Sequence, residues 1–356
     1  MTIYVIDLES VPTRYTCEWK DHVPNVIRDY LKSVSRVEDV INIEGDQNIP
    51  AATTPGAFLN FGGTNMYKSS QAYKIAQSFT NGFIKPGDQF VFTDGWNPTI
   101  IQIKYMSELL NIPVKIHSFL HAGSWDPQDF LGRLIKDKSW VKNFERSIFY
   151  AADYSYFATN FHIDMFCSKL DIIRHCGRII RTGWPMEYMA DTLKPYAATP
   201  KEDIILFPHR IAPEKQVEIF RDLATQMPQY KFIVCQDQQL TKKEYHQLLG
   251  KAKIVFSANL QETLGISTCL EGPLANCIPL APSRLSYIEI FKYNPEFTYP
   301  AEWTKNFGSY LDNRHQLKSR ISTIMTAYDQ YCELLKDFNH IVIPEYFSCD
   351  AFLRNI

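Results

Sequence analysis

The chain has 356 residues, of which 45% are hydrophobic and 21% are charged, and its net charge is −2. This length and composition indicate a globular protein of two domains, and the missing basic excess argues against a dedicated duplex-DNA binder. No apolar stretch approaches the roughly 20 residues of a membrane span, and we expect neither a span nor a signal peptide. The eight cysteines lack C-x-x-C and zinc-site spacings, which favours reduced thiols in a cytoplasmic protein.

Strands and helices alternate along the first half of the chain. Buried apolar runs predict the strands, and apolar residues at helical spacing predict the helices between them. The predicted strands are 2–8, 40–43, 89–92, 114–119, 154–158 and 178–182, and the predicted helices are 22–33, 65–83, 98–110, 140–152 and 162–170. Such alternation is typical of parallel βαβ units.

Proline and polar residues at 189–201 interrupt this alternation, which then resumes. The second half has predicted strands at 203–207, 231–235, 254–257 and 277–281, and predicted helices at 215–226, 241–249, 283–291 and 314–338. We therefore predict an α/β fold with two Rossmann-like, doubly wound domains that face a cleft. Residues 1–190 form the first, residues 191–340 the second, and residues 341–356 pack back on the body. Ligands of such sheets bind at the carboxyl ends of the strands.

Two cations follow the predicted strand at 203–207. Arg210 lies just beyond the carboxyl end of the strand, and Lys215 lies in the first turn of the next helix. An arginine can bind two phosphate oxygens at once, and a lysine binds phosphate as a point charge. The pair is either a phosphate site or two exposed cations on an ordinary loop.

About fifty residues later, two carboxylates bracket a glycine. Glu262 and Glu271 lie on either side of Gly265, which permits a positive φ or a close backbone approach. The N–H groups at the start of the following helix form an anion site, and a carboxylate can accept hydrogen bonds from a ribose diol. Glu262 is alternatively a favourable acidic residue before a helix. Together with the two cations, this segment predicts a nucleotide-sugar site.

The two segments resemble the donor-site motifs of retaining GT-B glycosyltransferases, the nucleotide-sugar family that includes sucrose and glycogen synthases. His209, Arg210 and Lys215 match a Gly-Arg-x4-Lys turn, with histidine in the glycine position. Glu262 and Glu271 match a Glu-x7-Glu motif, with one extra residue between the carboxylates. An Asp-x-Asp motif of metal-dependent sugar transferases does not occur in the sequence.

This resemblance covers roughly residues 203–290 and implies a GT-B fold. It implies transfer from a nucleoside-diphosphate sugar, with a UDP-sugar as the expected donor, retention of anomeric configuration and no metal cofactor. Arg210 and Lys215 would stabilise the leaving diphosphate, and Glu262 would bind a donor-sugar hydroxyl. The implied catalytic residues are Arg210, Lys215 and Glu262, and the implied donor-binding residues are His209, Gly265, Ile266, Ser267 and Glu271, of which Glu271 would bind the ribose.

Candidates for acceptor binding follow strands of the first half. His121 follows the strand at 114–119 and is either a sugar contact or a structural residue. Asp94, after the strand at 89–92, is either a base or a turn former. Trp96 and Trp125 follow the same two strands and offer aromatic faces for a sugar or a base.

The first half also resembles sugar transferases of tailed bacteriophages, some of which glycosylate hydroxymethylated bases in DNA. This resemblance makes hydroxymethylcytosine in phage DNA the preferred acceptor, modified DNA a partner and the host cytoplasm the compartment. The target base would have to flip out of the duplex, and Trp96 or Trp125 would receive it. Basic clusters at 136–146 and 174–181 are either phosphate contacts or solvated faces. A polysaccharide or small-molecule acceptor and an inactive nucleotide-sugar-binding module are the alternatives.

Overall fold

The computed structural model describes residues 1–9, 11, 14–47, 50, 53, 59–136 and 138–356. The described chain divides into two compact units. The first unit comprises Met1–Ala158, His162–Pro185 and Cys349–Ile356, and the second comprises Thr159–Phe161 and Met186–Ser348. The main crossover between the units therefore follows Pro185, whereas the sequence places it after residue 190.

The first unit is built on a six-stranded parallel sheet in the order β2-β1-β3-β4-β5-β6. Its strands are β1 Thr2–Ile6, β2 Asp39–Ile43, β3 Gln89–Phe92, β4 Lys115–Phe119, β5 Tyr154–Phe157 and β6 Ile179–Arg181. The helices between them are α1 Tyr15–Ser33, α2 Phe61–Thr80, α3 Thr99–Leu109, α4 Phe130–Ile135, α5 Ser139–Ala151 and α6 Asn160–Leu170. The central strands are buried, as expected for a parallel sheet with helices over its faces.

Helix α1 begins earlier than its sequence pattern predicts. It starts at Tyr15 instead of residue 22 and continues through Pro24. Trp19 is completely buried on this first part of the helix, together with Val23 and Ile27. Their burial supports the additional turns, although proline cannot donate a main-chain hydrogen bond within the helix.

Asp7 follows β1 and is a buried carboxyl group of the first unit. Its Oδ1 accepts hydrogen bonds from the Tyr67 hydroxyl and the Gln71 amide, both at 2.8 Å. Burial raises the pKa of Asp7 to about 7, and the hydrogen bond from Tyr67 offsets only part of this effect. The folded protein therefore binds a proton at Asp7 that the unfolded chain has already released.

We expect the Asp7→Asn variant to gain stability relative to the wild type as the pH rises. The folded pKa of Asp7, about 7, lies above the ordinary value of 3.8, so its stabilising proton is lost as the pH rises through 7. The difference in unfolding free energy should grow by about 2.5 kcal/mol between roughly pH 5 and pH 8. Denaturant unfolding of both proteins across this range measures it, and a pH-independent difference would contradict the assignment.

The second unit is built on a five-stranded parallel sheet in the order β11-β10-β9-β7-β8. Its strands are β7 Glu202–Phe207, β8 Lys231–Val234, β9 Ala252–Phe256, β10 Ile278–Pro282 and β11 Thr298–Tyr299. Its helices are α7 Tyr188–Ala197, α8 Val217–Gln226, α9 Lys242–Lys251, α10 Gly272–Leu274, α11 Tyr287–Ile290, α12 Phe307–Thr326 and α13 Tyr328–Tyr346. The loops after β7 and β9, which carry both predicted motifs, leave neighbouring strands at the same edge of the sheet.

Three predicted features of the second half are wrong. The expected interruption at 189–201 is largely helix α7, which contains Pro195 and buries Met189 and Leu193. The predicted helix at 283–291 shrinks to α11, because Leu285 adopts a left-handed φ of 57°. The predicted helix at 314–338 is two helices, α12 and α13, which together extend beyond both predicted ends and are separated at Ala327.

The last short helix, α14 Asp350–Leu353, belongs to the first unit. Phe352 of α14 packs edge-on against Phe119 of β4 and Tyr156 of β5, with ring centroids 4.9 and 5.2 Å apart. The aromatic C-terminal residues thus complete the core of the first unit. Across the described ranges, no helix combines the length and apolar character that crossing a membrane requires.

Candidate active site

The loop after β7 carries both predicted cations, and each is paired with a carboxylate. Arg210 forms an ion pair with Glu214, whose side chain is completely buried. The Lys215 side chain is only 8% exposed. Its Nζ donates to the main-chain oxygen of Gln261 at 2.6 Å and lies 3.3 Å from Oε2 of Glu262. Lys215 therefore joins the two predicted segments directly.

Hydrogen bonds to main-chain oxygens also connect the loop after β7 to the loop after β9. The Leu260 N–H donates to the Glu214 oxygen at 2.7 Å. Gln216 adopts a left-handed φ of 53°, and its Nε2 donates to the oxygens of Ala258 at 2.6 Å and Thr304 at 2.8 Å. These contacts fix the position of the cations relative to the carboxylates, because buried polar groups keep their hydrogen-bond partners.

Glu262 is held as a carboxylate between two donors. Its Oε2 accepts from Asn259 Nδ2 at 2.8 Å and lies 3.3 Å from Lys215 Nζ. Burial is the largest single effect and opposes ionisation, but the charge of Lys215, together with the hydrogen bonds from Lys215 and the Gly265 backbone, lowers the pKa of Glu262. Glu262 is partly exposed, whereas Asn259 is completely buried. A fixed, ionised acceptor of this kind can bind a hydroxyl group.

Gly265 precedes a π-helical turn, Ile266–Glu271, which ends at the second carboxylate of the motif. Its φ of 71° is left-handed, and a Cβ there would lie 2.8 Å from the Tyr287 ring. The Gly272 N–H bonds to the oxygen of Ser267, five residues earlier. The hydrogen bonds of this segment thus follow the i→i+5 pattern of a π turn.

Ile266 and Ser267 are partly exposed at the start of this turn, and Glu271 lies at its end. The Tyr245 hydroxyl, from α9, donates to Oε2 of Glu271 at 2.9 Å. The motif therefore presents two partly exposed residues directly after Gly265 and a hydrogen-bonded carboxylate at the end of the turn. Tyr245 has no signal in the sequence motif, because it lies on a separate helix.

The side chain of His209 is buried next to this site. Its ring packs edge-on against Phe207 at 5.0 Å, and its Nδ1 lies 3.5 Å from Asn259 Nδ2. Burial, with a smaller effect from the charge of Lys215, lowers the pKa of His209 to about 3. The imidazole is therefore neutral, at the position where the resembled motif has glycine.

Arg284 supports the site, although the sequence gives no motif for it. Its Nε and Nη2 donate to the main-chain oxygens of Asn259 and Ala258, both at 2.7 Å. Its Nη1 donates to the oxygens of Ala301 and Thr304, both at 3.0 Å. Burial lowers the pKa of Arg284. The four contacts show that its guanidinium binds main-chain carbonyl groups and so stabilises the loop after β9.

Asp94 and His121 lie after β3 and β4 of the first unit. Burial opposes ionisation of Asp94, but Lys68 and His121 lower its pKa, and its Oδ1 accepts from the Trp96 N–H at 2.9 Å. His121 Nε2 lies 2.6 Å from the oxygen of Thr93, which can only accept. His121 Nδ1 must then accept from the Tyr15 hydroxyl, 2.6 Å away. Both ring nitrogens therefore have protein partners.

The two tryptophans proposed for the acceptor have different surroundings. Trp96 is partly exposed, and its indole N–H donates to Oε1 of Glu145 at 2.9 Å. Trp125 is 2% exposed and packs edge-on against Phe166, with centroids 5.0 Å apart. Trp125 thus belongs to the core of the first unit, and its buried ring offers no face to an acceptor. The alternating pattern of the sequence could not distinguish a core tryptophan from one at a strand end.

Solved structures share the fold of this chain over nearly its whole length. HepE of Anabaena, in complex with UDP and glucose, is 12% identical, with a TM-score of 0.58 over 97% of this chain and 95% of that chain. Sucrose-phosphate synthase from Thermosynechococcus elongatus is 14% identical, with a TM-score of 0.59 over 97% and 94%. The catalytic domain of starch synthase IV from Arabidopsis thaliana, bound to ADP and acarbose, is 10% identical, with a TM-score of 0.60 over 99% and 98%.

These similarities confirm the predicted fold class: two parallel-sheet α/β domains of the GT-B type. The sequence itself matches no protein-family model, and no curated protein is similar to it. At 10 to 14% identity, the similarity concerns the fold.

Proposed function

We propose that the chain is a retaining glycosyltransferase that moves a sugar from a nucleoside-diphosphate sugar to an acceptor hydroxyl. The joined loops after β7 and β9 carry this proposal, because Lys215 contacts Glu262 directly at 3.3 Å. Cations for a diphosphate and carboxylates for sugar hydroxyls thus lie in one network. The GT-B fold supports the proposal, as does the binding of UDP-glucose by HepE, a structural neighbour.

In this proposal, Lys215 and Arg210 stabilise the negative charge that develops on the departing diphosphate. The bond between the sugar C1 and the diphosphate oxygen breaks, and the acceptor oxygen bonds to C1 on the same face. The acceptor proton passes to the departing diphosphate. Glu262 binds a donor-sugar hydroxyl, Glu271 binds the ribose, and the backbone at Gly265 approaches the phosphates.

A UDP-sugar is the donor that we propose to test first. Two structural neighbours are the reason to test UDP- and ADP-sugars: HepE was solved with UDP-glucose, and starch synthase IV with ADP. The experiment compares donors that carry uracil with donors that carry adenine.

For the acceptor, the observations favour a saccharide or small-molecule hydroxyl over hydroxymethylcytosine in DNA. Trp125, a proposed receiver of a flipped base, is buried. In the cluster at 174–181, Arg178 donates to the main-chain oxygens of Tyr150 and Ala152. In the cluster at 136–146, Lys142 pairs with Asp171. Cations held by the protein in this way contribute less to a phosphate-binding surface.

The test is a mass-spectrometric transfer assay with UDP-, ADP- and GDP-sugars. Acceptors are neutral oligosaccharides, plain DNA and DNA that contains hydroxymethylcytosine. We expect release of a nucleoside diphosphate and a sugar mass on a saccharide, with the donor anomeric configuration retained in the NMR spectrum of the product. A mass added only to hydroxymethylcytosine would restore the DNA acceptor. An inverted product would contradict retention, and no binding or consumption of any donor would contradict the proposed activity.

A further inference from the structure

The partner of Glu271 comes from a helix outside the carboxylate motif. Helix α9 begins with a capping box in which the side chains of Thr241 and Glu244 each accept from the other's backbone N–H. This cap fixes the first turn of α9 and places Tyr245 directly after it. The Tyr245 hydroxyl then donates to Oε2 of Glu271 at 2.9 Å.

The surroundings of the Tyr245 hydroxyl keep it protonated. Burial raises the pKa of Tyr245, and the charge of Glu271 raises it further. The charge of Glu271 also adds to burial in raising the pKa of Cys235, directly after β8. The Tyr245 hydroxyl therefore remains the donor of its hydrogen bond to Glu271.

Glu271 is the last residue of the π turn, and the Tyr245 hydroxyl is bonded to one of its carboxylate oxygens. π turns occur mostly as single turns inside helices and often lie at functional sites. The hydrogen bond from Tyr245 favours one orientation of the Glu271 side chain, because hydrogen bonds to ionised groups are stronger than those between neutral groups.

We propose that Tyr245 is a positioning residue that orients Glu271 toward the ribose and thereby sets a preference for ribonucleotides over deoxyribonucleotides. This inference rests on the proposed function, in which Glu271 binds the ribose of the donor. Tyr245 does not take part in the chemical step. Its hydroxyl determines how much binding strength the ribose diol contributes.

Isothermal titration calorimetry tests this role. The most tightly bound of UDP, ADP and GDP is compared with its 2′-deoxy and 3′-deoxy forms. We expect the wild type to bind the ribonucleotide about tenfold more tightly than at least one deoxy form, the value for one hydrogen bond to a charged group. In Tyr245→Phe, this ratio should fall to about twofold, mainly through weaker binding of the ribonucleotide.

Two further variants make the result specific. Glu271→Gln keeps an acceptor for Tyr245 but lacks the charge, and it should lower the ratio as far as Tyr245→Phe does. The double variant should lower it no further, because the two residues act as one unit. Tyr293→Phe is the matched control, since Tyr293 is 66% exposed in the same unit, and it should leave the ratio unchanged.

The outcomes separate this inference from the proposed function. If the wild type binds a nucleotide but Tyr245→Phe keeps the wild-type ratio, the positioning role is overturned and the proposed function stands. The positioning role is also overturned if the variant weakens binding of all forms equally, because a purely structural role would do that. If the wild type binds none of the three nucleotides, the proposed function and this inference both fall.

Discussion

Replacing Lys215 with alanine is expected to slow sugar transfer by about 10³-fold or more, which is the upper end of the loss for one preorganised donor. The Lys215 ammonium is nearly buried, with 8% of its side chain exposed, and charges interact more strongly there than in water. It lies in the network that would face the leaving diphosphate. The kcat with the identified donor and acceptor measures the effect, and circular dichroism verifies the fold.

Two companion variants define the origin of this loss. Arg210→Lys retains the charge but lacks the planar fork of arginine, and we expect a loss of about tenfold, the value of one hydrogen bond to a charged group. Lys243→Ala removes an equal charge from an exposed position on α9, and it should retain wild-type activity. If Lys215→Ala and Arg210→Ala both turned over at the wild-type rate while folded, the catalytic assignment would be wrong.

Gly265→Ala is expected to destabilise the protein by about 3 kcal/mol and to prevent donor binding, since strained φ and overpacking each cost about 1–2 kcal/mol or more. The φ of 71° disfavours a side chain. The new Cβ would also lie 2.8 Å from the Tyr287 ring and 3.1 Å from Cys269 Sγ. The shift that relieves this overlap moves the start of the π turn. Denaturant unfolding and nucleotide titration measure the two effects.

Gly177→Ala separates the two causes of this destabilisation. Gly177 has a similar φ of 69°, but no atom lies within 4 Å of the position that a Cβ would occupy. This control should therefore lose only about 1 kcal/mol, the cost of the left-handed backbone alone. Equal losses in the two variants would show that the contact with Tyr287 and Cys269 has no effect on stability.

Much of the fold follows from local sequence pattern. The alternation of buried apolar runs with helical periodicity predicts most strands of both sheets, because parallel strands buried on both faces need continuous apolar residues. The predicted strand at 203–207 is β7, Glu202–Phe207, and the helix at 215–226 is α8, Val217–Gln226, after a short turn at Lys215. Arg210 and Lys215 also stand out in the sequence, because they lie in the loop after an apolar strand, and Glu262 and Glu271 stand out because they bracket a glycine.

Other features depend on contacts that no local pattern encodes. Trp125 and Trp96 have the same chemistry in sequence, yet one is buried against Phe166 and the other is partly exposed. The carbonyl contacts of Arg284 and the hydrogen bond from Tyr245 to Glu271 join segments that lie 25 and 26 residues apart. Such pairings arise only when the sheet brings loop ends together.

The sequence by itself thus determined most of the order of strands and helices and which charged residues lie in the loops after β7 and β9, since both are properties of neighbouring residues. Only the tertiary structure decided that the residues after Gly265 form a π turn and that Glu271, at its end, accepts a hydrogen bond from Tyr245. Tyr245 lies on a separate helix, so the contact forms only when the sheet brings α9 next to this turn.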